Sequence, residues 1–177
     1  MSLKVLAVVG SLQARSSNKA LVEAFAAMLG AAIQVSATRA LHVLPAFNSD
    51  FEIENVPEPV TAWRAELAAA DAVVFATPEY AFGIAGALKN SLDWVVGSGE
   101  LVAKPVVLIG ASTMATGASL ALEALERTLR VMSAEVVGVL SVPHVRAKIA
   151  ADGRIVHDAT NASLGALAEK FVDRLTQ

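Results

Sequence analysis

The sequence has 177 residues, of which 55% are hydrophobic and 18% are charged, so it can form an apolar core and has no composition typical of disorder. Its 14 lysines and arginines are scattered and its formal net charge is -3, which argues against nucleic acid and anionic membranes as partners. It contains no cysteine, which excludes disulfides, thiolate nucleophiles and zinc sites built from cysteine. We expect a single domain over residues 1–177, in which any redox chemistry comes from a cofactor.

The N-terminal residues show no pattern for export. Residues 1–10 contain a single lysine and lead directly into a strand-like sequence, without the apolar segment and cleavage site of a signal peptide. No apolar run in the chain approaches the roughly 18 residues that a membrane helix needs. We therefore expect a cytoplasmic protein that does not act at a membrane.

Five short apolar runs, rich in β-branched residues, predict strands that are buried on both faces of a sheet. In chain order, these runs cover residues 5–9, 33–35, 72–76, 106–109 and 136–142. Each run is followed by a segment whose apolar residues have helical spacing, and these segments cover residues 21–29, 60–70, 84–95, 122–132 and 164–175. The alternation predicts an α/β fold with a parallel sheet between helices, because parallel neighbours need a crossover connection.

The loop after the first predicted strand is rich in hydrogen-bonding side chains. Residues 10–18 read GSLQARSSN and lead into a predicted helix. A helix N-terminus offers free N–H groups and the positive end of the helix dipole to a phosphate. Serine and asparagine are also common helix N-caps, so the local sequence leaves open both a phosphate site and an ordinary cap. The chain has neither G-x-G-x-x-G nor G-x-x-x-x-G-K-[ST], which favours a mononucleotide such as FMN over a dinucleotide or ATP.

The loop after the third predicted strand has groups that suit a flat ligand. Residues 77–94 begin with a turn at Pro78, continue with Glu79 and Tyr80, and contain Gly83, where the main chain can approach a ring. In an open α/β sheet, ligands bind at the carboxyl ends of the strands where the strand order reverses. An ordinary connection between strand and helix is the alternative interpretation of this segment.

The longest irregular segment covers residues 38–59 and contains Pro45, Pro57 and Pro59. A loop of this length inside a compact domain is usually functional. We expect it to cover a ligand or to contact a neighbouring subunit.

Taken together, the three segments resemble the NAD(P)H-dependent FMN reductases of the flavodoxin-like fold, a family that includes quinone, azo and chromate reductases. The first loop is similar to the motif G-S-L-R-x-x-S-x-N, with Gln13 in place of the arginine. The second is similar to T-P-E-Y-N-x-S-x-P-G-x-L-K-N-x-x-D-W, with departures at Ala81, Gly83 and Ala85. The middle segment matches L-P-x-F-N-x-D at residues 44–50. The resemblance spans most of the chain.

This resemblance implies a flavodoxin-like three-layer sandwich in which a five-stranded parallel sheet has the order 2-1-3-4-5 and FMN lies at the carboxyl edge. The residues that we assign to the FMN phosphate loop are Ser11, Gln13, Arg15, Ser16, Ser17 and Asn18. The residues that we assign to the isoalloxazine ring, largely through main-chain groups, are Pro78, Glu79, Tyr80, Ala81 and Gly83. The loop that would close the other side of the flavin contains Ser112, Thr113 and Gly117.

The implied activity is hydride transfer from NADPH or NADH through FMN to an acceptor, which could be a flavin, quinone, azo compound or metal oxyanion. We expect no catalytic side chain and no metal, because the cofactor carries the chemistry and the protein supplies position. Two other functions stay open: a non-enzymatic flavodoxin-like electron carrier, and a protein that has kept the fold and lost the flavin. Carriers of that kind have a threonine-rich phosphate loop and a strongly acidic surface, and this sequence has neither.

The high apolar fraction, and the position of the flavin near a subunit boundary in the family, imply a homodimer or a homotetramer. We expect the helix over residues 85–95 and the loop around Phe47 to form the contact. Lys89 and Asp93 are four residues apart on this helix, a spacing that allows an ion pair. Trp94 could lie near the flavin or at a subunit contact, although a tryptophan on a helix is more often part of the core.

Overall fold

A computed structural model describes residues 2–38 and 41–177 of the chain. Five parallel strands form its central sheet in the order β2-β1-β3-β6-β7, and two short strands, β4 and β5, form a separate hairpin. The strands are β1 Leu3–Val9, β2 Ile33–Ala37, β3 Ala72–Thr77, β4 Glu79–Tyr80, β5 Gly83–Ile84, β6 Pro105–Ala111 and β7 Glu135–Val142. The helices are α1 Ser17–Met28, α2 Glu58–Ala69, α3 Gly86–Asp93, α4 Ser119–Val131 and α5 Asp158–Leu175. The predicted α/β fold is confirmed. The predicted sheet order 2-1-3-4-5 is also confirmed, because the hairpin strands β4 and β5 do not belong to the sheet and β6 and β7 are its fourth and fifth strands.

The sheet has a separate apolar core on each face. On one face, α1 and α5 pack together through Phe25 and Phe171, whose rings lie 5.9 Å apart. On the other face, Trp63 of α2, Leu88 of α3 and Leu125 of α4 belong to a second buried cluster. All residues of β3 are buried, which explains why its sequence is apolar without alternation. Because all five strands are parallel, their carboxyl ends and the loops that follow them meet at one edge.

The segment over residues 38–59 is more ordered than the sequence predicted. Its described residues include two short 3-10 helices, Leu41–Val43 and Ser49–Phe51. The side chain of Asn90 on α3 donates to the carbonyl of Pro45 at 2.9 Å and accepts from the N–H of Phe47 at 2.8 Å. Trp94 donates to the same Pro45 carbonyl at 2.9 Å. The segment is therefore held against α3 of its own chain.

Two further expectations for α3 are confirmed. Lys89 and Asp93 form an i,i+4 ion pair, and Trp94 is 1% exposed. The Trp94 ring makes an edge-to-face contact with Phe47, with 5.1 Å between the ring centroids. Within the described residues, no helix combines the length and the apolar character that crossing a bilayer requires.

Candidate active site

The candidate site lies where the strand order reverses, between β1 and β3. From β1 the chain crosses to β2 on one side, whereas from β3 it crosses to β6 on the other side. The loops that follow β1 and β3 therefore diverge and leave a crevice at the carboxyl edge. The sequence predicted that both loops contribute to one site, and the structure places them side by side.

The first loop begins with a close approach to the helix α3. The N–H of Gly10 donates to the carbonyl of Ala76 at 2.7 Å. A β-carbon at Gly10 would lie 2.9 Å from Cβ of Leu88, so a larger residue would push the loop away from α3. Glycine here keeps the start of the loop against β3 and α3.

The loop ends at the N-terminus of α1, where Ser16 is the N-cap. The Ser16 hydroxyl oxygen accepts from the N–H of Lys19 at 3.4 Å, and the residue is 8% exposed. Within the described residues the Ser16 hydroxyl proton has no acceptor, which leaves it available to a ligand. The first N–H groups of the helix have no partner within the helix, as at any helix start. The cap and the phosphate site that the sequence left open are therefore compatible with each other.

Asn18 has a different place from the rest of this loop. It is 3% exposed, its amide oxygen accepts from the N–H of Ala111 at 3.0 Å, and its amide nitrogen donates to the Ala111 carbonyl at 3.4 Å. The side chain thus joins the first turn of α1 to the end of β6. This pairing gives Asn18 a positioning role, because its amide oxygen and its amide nitrogen are both hydrogen-bonded to the main chain of Ala111.

The other assigned residues of the loop are accessible. Gln13 and Arg15 are exposed, whereas Ser11 and Ser17 are half-buried. The N–H of Gln13 donates to the Ser11 hydroxyl at 3.4 Å. Within residues 2–38 and 41–177, Arg15 makes no ion pair.

The second loop forms the β4–β5 hairpin, which the sequence did not predict. The Thr77 hydroxyl donates to the carbonyl of Pro78 at 2.8 Å and accepts from the N–H of Ala85 at 3.3 Å, so it closes the base of the loop. Ala81 and Phe82 form the two-residue turn, with φ values of 48° and 61°. Positive φ at both central positions is the pattern of a type I′ turn, which favours asparagine and glycine. Alanine and phenylalanine make this turn strained.

The carboxylate of Glu79 is bound at the N-terminus of α4. One oxygen accepts from the Thr116 hydroxyl at 2.7 Å. The other accepts from the N–H groups of Leu120 and Ala121 at 2.9 and 3.2 Å. The α4 N-cap residue, Ala118, has no side chain that can cap the helix. Glu79 therefore supplies the cap from the hairpin, and a negative charge is stabilising at this end of a helix.

The third loop follows β6 and brings in the last assigned residues. The N–H of Ser112 donates to the carbonyl of Val142 at 3.2 Å, while Thr113 is exposed. Gly117 has a φ of 60°, and a β-carbon there would lie 2.5 Å from the Ser141 hydroxyl, so this position requires glycine. The family motif includes Thr77 without giving it a role, and sequence reasoning did not identify Thr116. The contacts of both hydroxyls become visible only in the folded chain.

A cavity of about 280 Å³ lies between the first two loops. Its lining comes from both loops and from the start of α3, through Gly10, Leu12, Gln13, Tyr80, Ala85, Gly86 and Ala87. A β-carbon at Gly86 would have no atom within 4 Å, so the cavity is open at this point. Leu12 and Tyr80 are 57% and 51% exposed at its mouth. The residues present fit FMN, because the first loop, which borders this apolar and open crevice, also carries serine hydroxyls and leads into the N-terminus of α1.

Similarity to known proteins shows the family of the chain. Residues 3–147 match the family model described as NADPH-dependent FMN reductase. The chain belongs to this family. The family, the enzymatic class and the expected redox partners, FMN and a nicotinamide cofactor, are thereby confirmed.

Several relatives of this NADPH-dependent FMN reductase family are similar over most of the chain. A 2-hydroxy-1,4-benzoquinone reductase of a Burkholderia species is 30% identical over 97% of this chain and 95% of its own length. An NAD(P)H-dependent FMN reductase of Pseudomonas aeruginosa is 33% identical over 72% of this chain and 69% of its own length. The structure of FerB, a flavoenzyme NAD(P)H:(acceptor) oxidoreductase from Paracoccus denitrificans, has a TM-score of 0.82 and 27% identity, and covers 98% of this chain and 97% of its own.

The strained turn gives a prediction about stability. Phe82→Gly should raise the free energy of unfolding by roughly 0.5–1 kcal/mol. Relief of the backbone strain stabilises the folded state, and the greater conformational entropy of glycine in the unfolded chain offsets part of this gain. Phe82→Ala is the matched control, because it removes the exposed ring and keeps the β-carbon that causes the strain. Urea denaturation of both variants measures the difference. Equal stabilisation by alanine and glycine would contradict a backbone origin.

Proposed function

We propose that the chain binds FMN with its phosphate at residues 10–18 and its ring against the β4–β5 hairpin, and that it reduces quinone-type acceptors with NADPH or NADH. The observation that carries this proposal is the cavity between the two loops, because the first of these loops leads from the cavity lining at Gly10, Leu12 and Gln13 to the N-terminus of α1. Bound FMN supplies the redox chemistry, since it accepts a hydride from the nicotinamide and passes the electrons on. The protein provides binding, orientation and access.

The phosphate end of the site uses main-chain and hydroxyl donors. The first N–H groups of α1 and the hydroxyls of Ser11, Ser16 and Ser17 would bind the phosphate, and Arg15 would add a charge. Asn18 would act indirectly, because its contact with Ala111 holds the first turn of α1 in place. Gln13 can offer only a neutral hydrogen bond where the family motif has an arginine.

The ring end of the site is built mainly from the backbone. The main chain of Pro78, Tyr80, Ala81 and Gly83 would line the isoalloxazine, since the Glu79 carboxylate is already bound to α4. The loop that contains Ser112, Thr113 and Gly117 would lie on the other side. A site of this kind places few specific demands on the acceptor, because the mouth is open and has no charged side chain in its lining.

Support for a quinone-type acceptor comes from the apolar mouth and from the Burkholderia relative, which is named a benzoquinone reductase. The exposed side chains of Leu12, Tyr80 and Phe82 give a planar, uncharged acceptor apolar surface to pack against. A non-enzymatic carrier is less favoured, because the matching family is one of reductases. Action in the cytoplasm, expected from the sequence, stays a prediction.

Anaerobic reduction of the FMN-loaded protein tests this function. NADPH or NADH should bleach the visible flavin band faster than it bleaches free FMN, and a benzoquinone should restore it. Gly86→Leu should abolish FMN binding, because the new side chain fills the open part of the cavity. Gly165→Leu, at an open glycine of α5, is the matched control and should bind FMN as the parent does. Rates equal to those of free FMN would contradict the proposal.

We also propose that the chain forms a homodimer or a homotetramer. Phe51, Ile53 and Val96 are 44%, 88% and 46% exposed and come from the segment packed on α3 and from the residues after this helix. Covering such side chains would stabilise an association next to the surface expected from the sequence, which is the helix over residues 85–95 and the loop around Phe47. Light scattering at tens of micromolar protein, a rough working range for such complexes, should report at least twice the chain mass. A monomer mass, unchanged by FMN, would contradict this.

A further inference from the structure

A second cavity, of about 560 Å³, lies between the end of the phosphate loop and the segment that follows β7. One wall comes from the start of α1, with Arg15, Ser16, Ser17 and Lys19. The opposite wall comes from the segment after β7, with Arg146, Ile149 and Asp152 among its residues. The sequence analysis assigned no role to this segment. The cavity nevertheless includes the serines that cap and begin α1.

The backbone that carries Arg146 is fixed to the site. The N–H groups of His144 and Val145 donate to the carbonyls of Met114 and Ser112 at 3.3 and 3.1 Å. Val145 is 2% exposed and begins a short 3-10 helix, Val145–Ala147. The loop after β6 is joined to α1 in turn, through Asn18 and Ala111. Arg146 is thereby held across from the N-terminus of α1.

The charges around this cavity leave two guanidinium groups available. Lys19 is paired with Glu23 at 3.7 Å, and Asp152 with Arg154 at 2.7 Å. Both acidic residues of the lining are therefore already paired. Arg15 and Arg146 are exposed and have no ion pair in the part of the chain that the structure describes. Their positive charge adds to that of the helix N-terminus.

From this arrangement we infer that Arg146 binds the FMN phosphate together with Arg15, and supplies the charge that the family motif places at position 13. The inference rests on the proposed function and extends it to a residue far from the motif in sequence. A phosphate monoester carries nearly two negative charges, and a guanidinium can donate two parallel hydrogen bonds to it. Two arginines on opposite walls would hold it better than the neutral Gln13.

Dissociation constants for FMN and riboflavin, measured by fluorescence quenching, test this inference, because riboflavin lacks the phosphate. Arg146→Ala should weaken FMN binding about tenfold or more, as expected for a charged hydrogen bond, and leave riboflavin binding unchanged. The loss should shrink at high salt. Lys148→Ala is the matched control, since it removes a nearby positive charge that does not line the cavity. It should change FMN binding less than twofold.

Each other outcome counts against the inference. Equal weakening of FMN and riboflavin would mean that Arg146 supports the fold of the loop, and equal effects of Arg146→Ala and Lys148→Ala would mean a general effect of charge. A higher KM for NADPH alone, with FMN binding unchanged, would assign Arg146 to the 2′-phosphate of the nicotinamide cofactor. If the parent protein binds neither flavin, the proposed function fails and this inference fails with it.

Discussion

The contact between the Glu79 carboxylate and the N-terminus of α4 joins the hairpin to the loop after β6. The Glu79 carboxylate accepts three hydrogen bonds, two of them from main-chain N–H groups of the helix. A hydrogen bond to a charged group typically contributes roughly 1.5–3 kcal/mol to stability. Removing the carboxylate would also leave the helix without a cap. The position of the hairpin main chain, and hence of the proposed ring site, depends on this contact.

A second contact has the same effect at the proposed phosphate site. The Asn18 amide pairs with the main chain of Ala111, so the start of α1 and the end of β6 cannot separate without exposing unpaired buried groups. Together the side chains of Asn18 and Glu79 connect the loops that follow β1, β3 and β6 to one another. A site assembled in this way before the cofactor arrives loses less conformational entropy on binding. Asn18 and Glu79 thus belong to the assigned loops but serve mainly to position them.

The sequence predicted the sheet and the helices well because the physical signals were strong. Runs such as residues 72–76 are apolar at every position, as a strand covered on both faces requires. The β4–β5 hairpin was missed because two-residue strands are too short to show alternation, and because Ala81 and Phe82 are not residues that a type I′ turn favours. The family motif located the loops but not the bonds that their side chains make.

Those bonds join residues that are distant in sequence. Asn18 and Ala111 are 93 positions apart, and Glu79 and Leu120 are 41 positions apart, so no local pattern connects them. The same limit applies to Arg146, which lines one cavity with Arg15, Ser16 and Ser17 because β7 ends next to β6 in the sheet. Residues within one loop could therefore be predicted together, whereas partners from different loops required the folded chain.

A crystal structure of the chain with bound FMN tests the account most directly. The account predicts the phosphate within hydrogen-bond distance of the Ser16 and Ser17 N–H or hydroxyl groups, and the isoalloxazine ring against the main chain of residues 78–81. Glu79 should stay bound to α4 in that structure. A phosphate bound outside residues 10–18, or a ring that displaces the hairpin from α4, would contradict it.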